Sequence, residues 1–482
     1  MTIYTHSIAY NLFRNCEKQP EKTAIVNNGR HISYKQLSKL TGQFTRTLTA
    51  NGVKKGDILG VQLTDSVDFC ALLFSASSLG AAIAPVDKTM PKNLAIKRFA
   101  ALGANHIVSD KISNSINIHD DSPNIQIHYP ELDGDETLII SLTSGSTSDP
   151  KPITLTQNNK LKRANAHIDL YKLNSDDVIL ASTPLYHSLA ERLVIMSILL
   201  GATAVIMDEF KSYEWFNLIN REKVSFTITD SSQLTQISSM LLSPFVPEIT
   251  TLKAVVSSSS FLENHVKKEL VDKLHCDLFE IYGTSESSTL TNINLKENSK
   301  IHSVGTPLKG VEIRIDEPDD KGIGEILCKS DLMFKGYFHN QELTDKAYKD
   351  SYFKTGDLGK IDEEGYLYYC GRKDELIKVN GINIYPFDIE DALSQIPEIK
   401  ECAVFNYPDD IKGNVIAIAI VIKDDAQLSE ETVRAFCEKQ LFELSRPEYV
   451  FFLNELPKNS LGKIQKSKIY EAIIRSQMMG AF

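Results

Sequence analysis

The chain has 482 residues, with 52 Lys and Arg against 63 Asp and Glu, a formal net charge of −11. That is too long for one compact core and predicts two to four domains or subdomains, while 42% hydrophobic and 24% charged residues exclude disordered and fibrous classes. The acidic balance excludes a general nucleic-acid binder, which needs concentrated positive charge.

The opening MTIYTHSIAYNLFRN lacks the basic, apolar and small-residue succession of an export leader, so the cytoplasm is the expected location. Ser33 to Gly52 sets Leu37, Leu40, Phe44 and Leu48 on one helical stripe, with Ser33 as N-cap and Gly52 as stop. A strand at 57–63, an apolar helix from about Ser66 to Leu79 and a strand at 81–86 follow, a series that builds parallel sheets. The polar tract 111–135 reads as a surface loop. Short apolar or β-branched runs at 106–110, 137–142, 177–182, 203–208, 225–230, 254–258 and 278–282 continue the α/β pattern. The longest apolar stretch, Leu193 to Met207, has 15 residues and is short of the about 20 that span a bilayer. It reads as buried core, and no membrane span is expected.

After about residue 300 the strands shorten, as in VEIRID, GEILCKS and GYLYYCG, which predicts a small β-rich subdomain. From Asp374 the β, α alternation resumes, with strands at 402–408 and 414–422 and a helix from Glu430 to Phe442. The expected architecture is therefore an α/β region over 1–373 with a β-rich subdomain, and a smaller α+β C-terminal domain over 374–482. Seven scattered cysteines without a CxxC pair read as reduced, structural thiols, and the adjacent His275 and Cys276 as a chance neighbour pair.

Five segments carry chemistry. In the first, Ser141 to Lys151, a strand runs into small hydroxyl residues around Gly145. There the backbone N–H groups of Thr143, Ser144, Gly145, Ser146 and Thr147 can converge on an anion, with charge added by Lys151. The spacing is not that of a Walker loop. Glu280 to Glu286 places Tyr282, an aromatic face, and Glu286, a hard-cation ligand, on either side of a Gly283 turn. Asp357 follows a tight turn and could accept hydrogen bonds from two sugar hydroxyls, Gly371 to Lys378 carries charges of both signs at the proposed boundary, and Lys463 stands on a Pro- and Gly-framed loop.

In this order and spacing the five segments resemble the adenylate-forming superfamily of acyl-CoA synthetases, luciferase-like enzymes and nonribosomal adenylation domains. The resemblance covers nearly the whole chain. It implies an acid–thiol ligase working in two steps: a carboxylate attacks the α-phosphorus of ATP, giving acyl-adenylate and pyrophosphate, and a thiol then takes the acyl group and releases AMP. It further implies that Thr143 to Thr147 with Lys151 hold the phosphates, that Ser259, Tyr282, Gly283, Asp357 and Arg372 hold adenine and ribose, and that Glu286 binds Mg²⁺. Lys463 bridges the carboxylate and the α-phosphate, and Asp374 is a hinge about which Lys378 and Gly381 turn toward the thiol step. The implied acceptor is coenzyme A or the phosphopantetheine of an acyl or peptidyl carrier protein, and the protein a stand-alone monomer or homodimer.

Five positions depart from the family pattern: Ser148 and Pro152 in the phosphate loop, Ser285, and Asn459 and Lys466 around the catalytic lysine. Pro152 lacks a backbone donor and Ser148 the freedom of glycine at positive φ. A degenerate, non-catalytic nucleotide binder is thus one alternative. Tyr186 and His187 match the aromatic–His segment beside the acyl pocket, with Ser231 and Ser258. The Phe-Asp-x-Ser context of amino-acid activators is missing, which favours an acid without an α-amino group. Glu191 keeps an amino-acid adenylation enzyme as the second alternative, its plainer reading being a surface acid at a helix start. The run Ser257 to Phe261, with Ser231 and Ser232, predicts a narrowed or polar pocket for a short, medium or polar acyl chain or a small aryl acid.

Overall fold

The structure, a computed structural model, describes residues 7–120, 126–143, 151–243, 246–297, 299–379, 382–409, 413–458 and 463–478. The first expected helix forms as Tyr34–Ala50. Ser33 accepts from the Gln36 N–H while the Gln36 side chain accepts from the Ser33 N–H, so the helix start satisfies its own free donors. The chain leaves it through Gly52 at φ 82°.

Two large sheets follow from the apolar runs. The first has nine strands in the order Thr306–Pro307, Ser288–Asn294, Asp277–Thr284, Ala254–Ser258, Phe226–Asp230, Val178–Ala181, Thr203–Ile206, Thr23–Asn27 and Arg30–Ser33. Its middle strands, Asp277–Thr284 through Thr23–Asn27, are parallel and its flanks antiparallel. The second has the order Gly336–Tyr337, Pro152–Thr156, Thr137–Leu142, Ala82–Pro85, Ile58–Gln62 and His106–Ser109. Pro152 opens its strand, a place where the missing N–H is tolerated, and its carbonyl accepts from the Phe338 N–H at 2.8 Å.

Helices α1, Gln157–Leu170, and α2, Ser188–Leu200, lie with Tyr34–Ala50 and Ser66–Leu79 in one core between the sheets. The apolar stretch from Leu193 falls into α2 and the strand Thr203–Ile206 and is almost wholly buried. On the other face of the first sheet, α3, Asn264–Lys273, packs in a second core with Trp215, Leu234 and Ile237. The β-rich part is a five-stranded antiparallel sheet over residues 312–372.

Beyond it, α4, Pro386–Leu393, and the helix Glu430–Gln440 cover one face of a three-stranded sheet, and Ile469–Met478 covers the other. The helix expected to reach Phe442 stops at Gln440 because Leu441 is already extended. Residues 126–135 of the polar tract stay irregular.

Helix α4 ties this C-terminal part to the rest. The Phe387 ring meets Phe261 edge-on at 4.6 Å, and Asn264 donates to Asp391 at 2.8 Å. Just before α4, the Tyr385 hydroxyl donates to Asp319 at 2.6 Å. The described cysteines form no disulfide, and no described helix is long and apolar enough to cross a membrane.

Candidate active site

Parallel α/β sheets gather functional loops at the C-terminal ends of their strands, and the sequence-marked residues collect there. Thr143 follows Thr137–Leu142, Tyr186 and His187 follow Val178–Ala181, Ser231 follows Phe226–Asp230, and Ser259 follows Ala254–Ser258. Ser144, Gly145, Ser146, Thr147 and Ser148 lie outside the described residues, as do Gly381 and Asn459. The two rims of the candidate phosphate loop are described and locked together: the Thr143 N–H donates to the Lys151 carbonyl at 2.9 Å, and the Lys151 N–H to Thr143 Oγ1 at 3.1 Å.

Lys151 Nζ stands 5.7 Å from the Tyr337 ring centre, and the Tyr337 hydroxyl donates to Glu286 Oε1 at 3.1 Å. One phenol thus links the candidate phosphate loop to the metal-ligand candidate. Burial, and then the Glu286 charge, push that phenol well up, so it stays a donor. Among the described residues no three His, Cys, Asp or Glu could hold a metal by themselves. A cation at Glu286 would share its shell with phosphate oxygens and water, the arrangement Mg²⁺ favours; the donor set fits that ion.

The Glu286 turn is held from beneath. Arg163 on α1, 1% exposed, donates to the carbonyls of Leu332 at 2.8 Å, Ser285 at 3.0 Å and Glu286 at 2.8 Å. Gly283 is required by space: a Cβ there would stand 1.8 Å from the Ser288 carbonyl oxygen. Gly283→Ala is therefore expected to cost about 1–3 kcal/mol in urea unfolding by overpacking and to weaken nucleotide binding. Unchanged stability would show that the turn opens freely.

Tyr282 is buried, its hydroxyl donating to Asp357 Oδ2 at 2.8 Å, and Arg372 pairs with Asp357 Oδ1 at 2.8 Å. Each carboxylate oxygen keeps a further lone pair for a sugar hydroxyl. Burial raises the Asp357 pKa against the opposing pull of Arg372. Ser259 stands at φ 77°, exposed, on the loop beside it.

Lys463 reaches the same place from the C-terminal part. Burial lowers its pKa, while Asp357, Glu375 and Glu286 pull it back up and Arg372 opposes them. Its loop is pinched at the base by the bridge between Lys458 and Ile464. Lys466 anchors that base, with Nζ 2.9 Å from Glu375 and 2.8 Å from Glu390. The departure at Lys466 thus retains a cation between two acids. Asp374 sits in the 3₁₀ turn Lys373–Glu375, and Lys378 is exposed on the strand Ile377–Val379.

At the other end of the site, the Tyr186 hydroxyl donates to Asp87 at 2.8 Å and its ring lies 4.2 Å from His187. Burial pushes the His187 pKa down to about 4, so the ring is neutral at pH 7, and its Nε2 is buried without a partner. Asp87, Tyr337 and Arg163 were not picked out in the sequence, and Lys466 was marked only as a departure from the family pattern. Asp87 alone had a signal, an acid just past the end of a parallel strand.

Two expectations change. Glu191 is not a surface acid: it is 2% exposed inside α2 and ion-paired with Lys160 of α1, because α2 is apolar all round and buried on every side. The serine run does not line one wall. Ser257 pairs in register with Thr229 and Glu280 on the α3 side, while Ser258 lies on the opposite face. Ser260 and Ser231 bond to each other, Ser232 turns to Asp230, and Phe261 packs against Phe387.

Residues 12–338 match the family described as AMP-binding enzyme, and residues 388–463 match the AMP-binding enzyme C-terminal domain. The chain is 27% identical to the long-chain-fatty-acid–CoA ligase FadD13 of Mycobacterium tuberculosis, across 96% of this chain and 98% of that one. It is 28% identical to the indoleacetate–CoA ligase of Aromatoleum aromaticum, across 97% and 98%. Among solved structures, ATP-bound MatB from Rhodopseudomonas palustris superimposes with a TM-score of 0.86 at 25% identity, covering 96% of this chain and 98% of that one. The AMP complex of o-succinylbenzoate coenzyme A synthetase from Bacillus subtilis shares the fold, with a TM-score of 0.86 at 23% identity and coverage of 95% and 97%.

Proposed function

The chain belongs to the AMP-binding enzyme family, and from that membership we propose that it is an AMP-forming acid–thiol ligase of the acyl-CoA synthetase kind. It activates a carboxylic acid with ATP to an acyl-adenylate, releasing pyrophosphate, and passes the acyl group to the thiol of coenzyme A, releasing AMP. One observation carries this reading: Lys463, from the far end of the chain, lies within electrostatic reach of Asp357, Arg372 and Glu286. That is the charge set needed where a carboxylate meets an α-phosphate. The presence of all four also argues against a degenerate nucleotide binder.

In this reading Asp357 and Arg372 hold the ribose, Tyr282, Gly283 and Ser259 border adenine, and Thr143 to Thr147 with Lys151 cradle the phosphates. Glu286 would hold Mg²⁺, which would supply neutralisation of phosphate charge. Lys463 steadies the negative charge that gathers between acid and α-phosphate; positioning and charge neutralisation of this kind are the main contributions available to such a transfer. Residues 374–482 form a lid that turns about Asp374 after adenylation, bringing Lys378 and Gly381 toward the thiol.

Glu191 is buried between the helices and already ion-paired with Lys160, which argues against its gripping a substrate α-ammonium. A carrier-protein phosphopantetheine presents the same thiol as coenzyme A and is the second acceptor to test, in the cytoplasm, with the enzyme as monomer or homodimer. The test is acid-dependent exchange of labelled pyrophosphate into ATP, followed by AMP release with either acceptor. Exchange that needs the acid and Mg²⁺ is expected; ATP binding with no exchange for any acid would reject the reading.

A further inference from the structure

The strand that leaves the candidate phosphate loop and the turn that carries Glu286 are joined by one short segment, residues 334–338. On one side, Gly336–Tyr337 pairs antiparallel with Pro152–Thr156, Tyr337 opposite Ile153 and Gly336 opposite Thr154. The Lys335 N–H donates to the Thr154 carbonyl at 3.0 Å, and the Phe338 N–H to the Pro152 carbonyl at 2.8 Å. On the other side, the Phe334 N–H donates to the Glu286 carbonyl at 2.8 Å. Tyr337 is itself held firmly within this bridge. Its N–H donates to Thr344 Oγ1 at 3.0 Å, and its ring meets Phe334 edge-on at 5.1 Å.

Two polar contacts leave the anchored ring. The hydroxyl donates to Glu286 Oε1 at 3.1 Å, and Lys151 Nζ stands 5.7 Å from the ring centre, within the range of a cation–ring attraction. Glu286 takes no other side-chain hydrogen bond and no ion pair from the described residues. Arg163, beneath the turn, is spent on three backbone carbonyls. The chemistry of the donor matters here. A neutral phenol orients a carboxylate and leaves it its full charge, whereas a Lys or Arg in that place would pair with it and compete with a bound cation. Donors of this kind, one step out from a metal, orient the carboxylates that ligate it.

Resting on the acid-activating reading above, we propose that Tyr337 is a positioning residue for nucleotide binding: its hydroxyl orients the Glu286 carboxylate for a divalent cation, and its ring holds the Lys151 ammonium for the phosphates. One side chain then sets the metal ligand and the phosphate cation relative to each other before the nucleotide arrives. Ordering both groups in advance removes a cost that ATP would otherwise meet on binding.

The experiment measures ATP binding to the full chain by calorimetry, in EDTA and across a titration of Mg²⁺, without any acid substrate. Tyr337→Phe keeps the ring and loses the donor, so the Mg²⁺ needed for half-maximal tightening should rise by about 10–100-fold while binding in EDTA is unchanged. Tyr337→Leu loses the ring as well and should weaken binding in EDTA too, by about 2–5-fold, the worth of an exposed cation–ring contact. In a Glu286→Gln background, Tyr337→Phe should add nothing, because the two groups act as one. A purely structural tyrosine would weaken binding equally with and without Mg²⁺. That result, an unshifted Mg²⁺ titration in Tyr337→Phe, or a full additional loss in the Glu286→Gln background would overturn the proposal. If Tyr337→Phe does not fold, Thr344→Val, which takes away the acceptor of the Tyr337 N–H, decides it: a raised Mg²⁺ requirement supports the proposal and an unchanged one overturns it. Failure of the wild type to bind ATP under either condition would bring down the acid-activating reading and this proposal with it.

Discussion

Lys463→Ala is expected to reduce acid-dependent pyrophosphate exchange by at least about 10²–10³-fold, the range seen when one preorganised donor to a developing charge is removed. Thioester formation from pre-made acyl-adenylate should stay largely intact. The asymmetry follows from how Lys463 is placed. Its loop is closed by the Lys458–Ile464 bridge and anchored through Lys466 on Glu375 and Glu390. Its ammonium is brought from residue 463 to the charges of Asp357, Glu286 and Arg372 by the docking of the C-terminal part alone. Alanine removes the ammonium and leaves the loop anchor, α4 and the Phe387–Phe261 contact untouched. The thiol step uses a different face of the lid in this account, so it does not lose the same group. If both half-reactions fell equally in a folded variant, Lys463 would not be the group that steadies the adenylation step.

The largest expected effect on stability lies elsewhere, at Lys160. Its ammonium and the Glu191 carboxylate are each 2% exposed and pair directly between α1 and α2. Burial drives the Lys160 pKa down to about 8 and raises that of Glu191, with each partner pulling the other back toward charge. Lys160→Met leaves Glu191 alone in the core, and breaking a buried pair from one side costs about 3–5 kcal/mol. Replacing both, Lys160→Met with Glu191→Leu, should recover most of that loss, since a well-packed apolar pair is often neutral. Urea unfolding of the two variants checks this. A single variant within about 0.5 kcal/mol of wild type, as for an ordinary surface change, would contradict the buried pairing and reopen Glu191 as a ligand for a substrate amine.

Much of the fold was readable because parallel strands declare themselves as short β-branched runs, and the runs at 177–182, 203–208, 225–230 and 254–258 all became neighbours in one sheet. The site loops were readable for a related reason: each follows such a strand directly, so position along the chain predicts position in space. Tyr337 escaped, and Lys466 showed only as a departure from the family pattern, because both act across space, on Glu286, Glu375 and Glu390. Arg163 reads locally as one more charge on a polar helix, yet it is buried under the Glu286 turn. The serine run misled because alternation along a strand sends Ser257 and Ser258 to opposite faces, and composition does not say which face meets the pocket. Glu191 misled in the same way. A charged residue in an apolar helix reads as a surface position unless its partner, thirty-one residues earlier in α1, is known.

The central claim, that an acyl-adenylate forms through attack of the substrate carboxylate on the α-phosphorus of ATP, is tested most directly by following oxygen. With the substrate carboxylate labelled in ¹⁸O, one carboxylate oxygen becomes the bridge to the α-phosphorus, and thiol attack at the acyl carbon leaves it on AMP. One ¹⁸O in each AMP, and none in pyrophosphate, is the result this account predicts. Unlabelled AMP, or label recovered in pyrophosphate or inorganic phosphate, would contradict it.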